Sequence, residues 1–153
     1  MAENVKLTLD EVFTLSKAAL MNCGADEANA TEIATQLRMA ERAGAHAHGL
    51  FRLPWYTGML QSGKANGSAD PTIEQLTSSA IRLHGQNGFA PLALKVGRGP
   101  LIEAARAQGI AVLAMTRIMH IGALWPETSA LAEAGLAAIA MTSAKPMVAP
   151  AGG

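Results

Sequence analysis

The densest cluster of side chains able to do proton chemistry and bind an anion is one short stretch, Gly44 to Arg52, which holds His46, His48 and Arg52. An imidazole changes charge near neutral pH, and a planar guanidinium grips a carboxylate through two parallel charge-assisted hydrogen bonds. If a helix starts near Gly49, His48 sits at its positive end and Arg52 lies one turn on along the same side, so both face one bound anion. That pairing suits reduction of a small 2-oxo or 2-imino acid. Arg52 would hold the carboxylate, and His48 would protonate the oxygen or nitrogen left electron-rich when hydride reaches the neighbouring carbon. The same residue types also have a plainer reading, a capping histidine followed by a surface arginine. His46 and His48 have the chemistry of two metal ligands as well, but no third ligand of the right type stands nearby, and no metal is expected.

A second and weaker cluster follows a predicted strand and precedes a predicted helix: His120, Ile121, Gly122, Ala123 and Leu124. Backbone amides at such a junction commonly receive a phosphate or a nucleotide. No G-x-G-x-x-G accompanies it, so an ordinary Rossmann fingerprint is not implied, and a buried histidine closing a strand is the alternative. His84, ahead of Gly85, Gln86, Asn87 and Gly88, reads as a turn residue, and Trp55 and Trp125 read as packing anchors.

The elements that must position these residues are legible in periodicity and caps. Thr8 and Glu11 form a capping-box pattern, and Val12, Phe13, Leu15, Ala19 and Leu20 then recur at helical spacing up to Gly24. Asp26 caps a second helix, whose apolar stripe runs through Ala30, Ile33, Ala34, Leu37 and Ala40 or Met39 to a stop at Gly44. A third helix is expected from about Leu50 to Gln61, with Pro54 tolerated only in its first turn. Gly63 to Pro71 reads as a loop and Ala80 to Leu83 as a strand. A helix over Pro91–Ala107, weakened by Gly97, Gly99 and Pro100, leads to Gly109 and a strand Ile110–Met115. A short helix from Leu124 to Ala134 and a last strand, Leu136–Met141, complete a β-α-β rhythm. The expected class is α/β, with a helical segment over about 1–62, an α/β segment over about 72–153, and at least one parallel strand pair.

Composition narrows the function. The chain has 153 residues, half of them apolar, enough for one domain with its own core. Twelve basic and twelve acidic side chains cancel, so neither nucleic acid nor an anionic membrane is favoured as a partner. The single Cys23 and the lack of an export signal place the chain in the cytoplasm, and no apolar run reaches the roughly 18–20 residues that span a bilayer. After the last predicted strand the chain runs into loop chemistry, Lys145 to Gly153, which leaves an apolar edge to be covered by something else.

Four stretches in this order and spacing, Glu41 to Pro54, Asn87 to Ala90, His120 to Pro126 and Pro146 to Gly153, resemble the type 2 malate/L-lactate dehydrogenase family. The second and third look most similar to its Δ1-piperideine-2-carboxylate/Δ1-pyrroline-2-carboxylate reductases. The resemblance covers essentially the whole chain but only the first part of the family's usual length. It implies a non-Rossmann fold that holds NADPH or NADH, usually as a homodimer. His48 then matches the proton donor, Arg52 the substrate-carboxylate ligand, and His120, Ile121, Gly122, Ala123 and Leu124 a cofactor-contacting stretch.

The chain departs from the family pattern at Ala47, where a serine often precedes the donor histidine, and at Ile118 and Met119, which replace Ser-His. Ser143 and Ala144 stand for Asn-Ser. Each change removes a hydrogen-bonding group. The resemblance implies that the relay acid and most cofactor contacts belong to a C-terminal part, which a separate polypeptide would supply. The alternatives are a malate, L-lactate or ureidoglycolate dehydrogenase, and an inactive relative acting as an interaction domain.

Overall fold

The computed structural model describes residues 5–143, so the family-like stretch 146–153 and the departure at Ala144 lie outside it. Helix α1, Leu9–Asn22, starts at a closed capping box: the Glu11 N–H donates to the Thr8 hydroxyl at 3.2 Å, and the Thr8 N–H donates back to the Glu11 carboxylate at 2.7 Å. Helix α2, Glu27–Arg42, is capped by Asp26, which accepts the Asn29 N–H at 2.8 Å. Gly24 and Gly44 leave both helices through left-handed turns. The α2 stripe is buried as its spacing requires, with Ala30, Ile33, Ala34, Leu37 and Ala40 against α1 and the core.

The third helix begins later than expected. Helix α3 spans Leu53–Gln61, and Leu50–Arg52 forms a 3-10 turn instead. Pro54 explains the difference. In an α-helix running from Leu50 its ring would meet the Leu50 carbonyl, whereas in a helix from Leu53 it falls in the first turn, where no N–H is needed.

Three strands form one sheet in the order β1 (Thr72–Gln75), β2 (Ala80–Phe89) and β3 (Val112–His120). β1 runs antiparallel to β2, and β2 runs parallel to β3 through the crossover helix α4, Ala90–Gln108. β1 has no signature in the sequence because all four of its side chains are exposed. α4 passes through Pro100 and approaches the sheet at Gly97, where a Cβ would lie 2.6 Å from Leu113. β2 continues well past Leu83, so His84 lies within a strand rather than in a turn. The irregularity follows it: Gln86 and Asn87 adopt left-handed φ of 50° and 62° and make a bulge in the β2–β3 register.

Helix α5, Trp125–Glu133, ends ahead of Gly135. The expected strand Leu136–Met141 does not form. No described strand offers it a ladder, and Ile139 and Met141 stand 86% and 83% exposed. Apolar sequence alone does not make a strand without a paired neighbour. The main core gathers Leu20, Ile33, Leu37, Tyr56, Leu60 and Phe89, so the helical layer and the end of β2 share one interior.

Candidate active site

The chain between α2 and α3 is two successive 3-10 turns, His46–His48 and Leu50–Arg52. Backbone bonds from His48 N–H to the Ala45 carbonyl (2.8 Å) and from Arg52 N–H to the Gly49 carbonyl (2.9 Å) close them. Neither turn has a side-chain cap of its own. Glu41, in the last turn of α2, reaches across instead. Its Oε1 accepts the Leu50 N–H at 2.7 Å, and its Oε2 lies 2.5 Å from His46 Nδ1. His46 is thereby engaged with Glu41 at the surface, while His48 is half-buried.

Arg52 donates its Nε to the Ala47 carbonyl at 2.9 Å, which fixes the plane of the guanidinium. Ala47 therefore contributes through its backbone despite lacking a hydroxyl. His48 Nδ1 and His120 Nε2 are both buried without a hydrogen-bond partner among the described residues. His120, the last residue of β3, has its ring 4.6 Å from Trp55 and 5.6 Å from Tyr56. Burial pushes its pKa below the usual histidine value, and the positive charges of Arg52 and His48 push it further the same way. Arg52 and both histidines thus share one electrostatic neighbourhood. Burial likewise raises the Tyr56 phenol, with Arg52 opposing it, so Tyr56 stays a neutral wall beneath Arg52 and His120.

The sheet delivers His120 there. Left-handed Gln86, Asn87 and Arg117 shift the β2–β3 register so that Phe89 pairs with His120. The bulge is tied down by Asn87, whose amide donates to the Lys64 carbonyl at 2.8 Å, and by Asn66 N–H, which donates to the Asn87 carbonyl at 3.0 Å. Trp55 packs edge-on against Tyr56 and Phe89 as an anchor should, yet it is partly exposed and also covers the His120 ring.

The stretch after His120 is held against α2. Gln36 Nε2 lies 3.5 Å from both the Ile121 and Ala123 carbonyls. Gly122 is left-handed at φ 76°, and a Cβ there would stand 2.6 Å from the Gln36 amide oxygen. Ala123 is buried, and Leu124 leads into α5 without a side-chain cap. Gln36 carries no spacing signal because the segment it holds is far from it in sequence, and Glu41 carries none because its partners His46 and Leu50 lie beyond the end of α2, outside helical spacing. A separate cleft of about 240 Å³ lies between α2, α4 and α5. Its guanidinium is already committed, because Arg98 pairs with Glu127 through two bonds of 2.9 and 2.8 Å.

Residues 7–153 match the malate/L-lactate dehydrogenase family. The chain belongs to that family. Within it, the chain is 42% identical over 153 residues to a Delta(1)-pyrroline-2-carboxylate reductase of Ancylobacter novellus, covering all of this chain and 45% of that relative. It is 38% identical over 149 residues to a Delta(1)-pyrroline-2-carboxylate/Delta(1)-piperideine-2-carboxylate reductase of Pseudomonas aeruginosa, covering 97% of this chain and 45% of the relative. The crystal structure of a delta1-piperideine-2-carboxylate reductase from Pseudomonas syringae pathovar tomato superposes with a TM-score of 0.82 at 34% identity, over 86% of this chain and 40% of that one. The chain thus spans less than half the length of these relatives, and the α/β fold described here is the fold of that part of the family.

Proposed function

We propose that this chain carries the anion-binding and proton-donating side of an NAD(P)H-dependent reductase of small cyclic 2-imino acids, Δ1-pyrroline-2-carboxylate or Δ1-piperideine-2-carboxylate. The observation that carries the reading is that Arg52 and His48 lie near enough to His120 to hold its pKa down, while one nitrogen of each imidazole is buried with no hydrogen-bond partner among the described residues. The names of the relatives support the choice of substrate class.

Arg52 has its Nε committed to Ala47, so the substrate carboxylate meets the two terminal NH2 groups side by side. His48 gives the proton that ends on the ring nitrogen as the imine becomes a secondary amine. His120, kept neutral by burial and by its cationic neighbours, adds no competing charge. The residues 120–124 fit a nicotinamide cofactor, NADPH or NADH, because the His120 Nε2 is a buried polar atom with no partner among the described residues. When bound, that cofactor supplies the hydride. Trp55 and Tyr56 keep water from the floor of the site.

The reading extends to partners. Ala47 cannot supply a hydroxyl to His48, so the partner of His48 Nδ1 comes from a C-terminal polypeptide or from a second subunit of a homodimer. Exposed Ile110, Val112, Ile139 and Met141 give such a partner an apolar surface. No described helix is long and apolar enough to cross a membrane, and the free thiol of Cys23 agrees with a cytoplasmic setting.

The test is to mix the chain, alone and with a polypeptide carrying the remaining part of the family fold, with NADPH and Δ1-pyrroline-2-carboxylate and to follow nicotinamide absorbance. Oxidation well above that of a His48→Ala variant is expected, and equal rates would contradict the role of His48. A panel including pyruvate and oxaloacetate separates this reading from a 2-hydroxy acid dehydrogenase.

A further inference from the structure

Glu41 touches neither a proposed reacting atom nor Arg52, yet three features converge on its carboxylate. The side chain is only 17% exposed. One oxygen takes the first amide of the Leu50–Arg52 turn, at 2.7 Å, and the other takes His46, at 2.5 Å. Gly49, between them, leaves space that only the carboxylate fills, since a Cβ there would lie 2.0 Å from Glu41 Oε1. Short 3-10 turns hold themselves weakly, and these two carry no caps of their own. A carboxylate that accepts a backbone N–H makes one of the stronger hydrogen bonds available.

We propose that Glu41 is the positioning residue of the site: its carboxylate clamps both 3-10 turns to the end of α2 and thereby sets His48 and Arg52 on one side. The clamp joins the turn that carries His48, through His46, to the turn that carries Arg52, through Leu50. Moving either turn would change the separation of donor and anchor. The purpose given to this clamp rests on the function proposed above, whereas the clamping itself does not.

The test uses the full chain and its Glu41→Ala, Glu41→Gln and Gly49→Ala variants. Three quantities are measured by NMR: hydrogen exchange of the Leu50 amide, the His48 ring resonances, and the dissociation constant for pyrrole-2-carboxylate, a flat ring carboxylate with no reducible imine. In Glu41→Ala, Leu50 exchange should quicken about ten-fold or more as its partner is lost, with the His48 resonances displaced and the probe bound about ten-fold more weakly. Glu41→Gln keeps an acceptor for Leu50 and should restore most of all three. Gly49→Ala pushes the intact carboxylate aside and should reproduce the Glu41→Ala pattern, so the test does not depend on one variant folding. Unchanged Leu50 exchange and unchanged His48 resonances in Glu41→Ala and Gly49→Ala would overturn the proposal. If those two quantities move while the native chain fails to bind the probe, the clamp stands and the proposed function falls.

Discussion

A guanidinium whose Nε is tied to a backbone carbonyl can present only its outer edge to a ligand, and Arg52 is tied in this way to Ala47. Lysine keeps the charge but not the fork, so Arg52→Lys should raise the Michaelis constant for the imino acid about ten-fold with the fold intact. An unchanged constant would remove Arg52 from the substrate. His120 offers a second test. Its pKa is held below the ordinary histidine value, first by burial and then by Arg52 and His48. Replacing Arg52 with Met should therefore raise the His120 midpoint in an NMR titration, and an unmoved midpoint would mean that the two do not share a site. The same shift ties stability to pH. Between the depressed folded pKa and the unfolded value of about 6.5, the unfolded chain binds the extra proton, so this contribution to stability is lost as pH falls below about 6.5. Urea midpoints measured across that range should fall on the acid side. At this scale residue type and spacing single out His48, Arg52 and His120 as the candidates for the proposed site. Glu41 was not, because its partners Leu50 and His46 are met through folding and follow no helical spacing.

At the scale of elements, local rules wrote the helices plainly. Thr8 with Glu11, Asp26, and the glycines after α1 and α2 mark their ends because caps are satisfied within a few residues. Thr8→Ala should accordingly lower stability by about 1 kcal/mol, read from urea melts. The strands were less legible. β1 is exposed on every side chain and thus has no alternation, and the β2 bulge depends on Gln86 and Asn87 taking left-handed backbone fixed by the 64–70 loop. The segment Leu136–Met141 has strand-like residues but no described partner strand, so periodicity misled there. The element most exposed to a single change is the 120–124 link. Gly122→Ala adds a left-handed Cβ against Gln36 and should cost about 1–2 kcal/mol. Denaturation midpoints would check it, and a neutral effect would imply that the link is not held by α2.

For the whole molecule, the proposed site joins two layers: the helical layer carries His48 and Arg52, the sheet carries His120, and the core around Tyr56 and Phe89 fixes those layers together. Such a site survives only while that interior is intact. The outer edge of β3 and the stretch to Met141 leave apolar side chains in water. Ile139→Lys combined with Met141→Glu should reduce self-association of the chain in light scattering, and an unchanged particle mass would argue against that surface. The central claim is that the two layers build a single anion site from His48, Arg52 and His120. The most direct measurement is an NMR titration of the chain with pyrrole-2-carboxylate, following every backbone amide and histidine ring. The expected result is a saturable set of shifts centred on those three residues, with Trp55 moving beside them. Shifts confined to other surfaces, or none at saturating carboxylate, would contradict it.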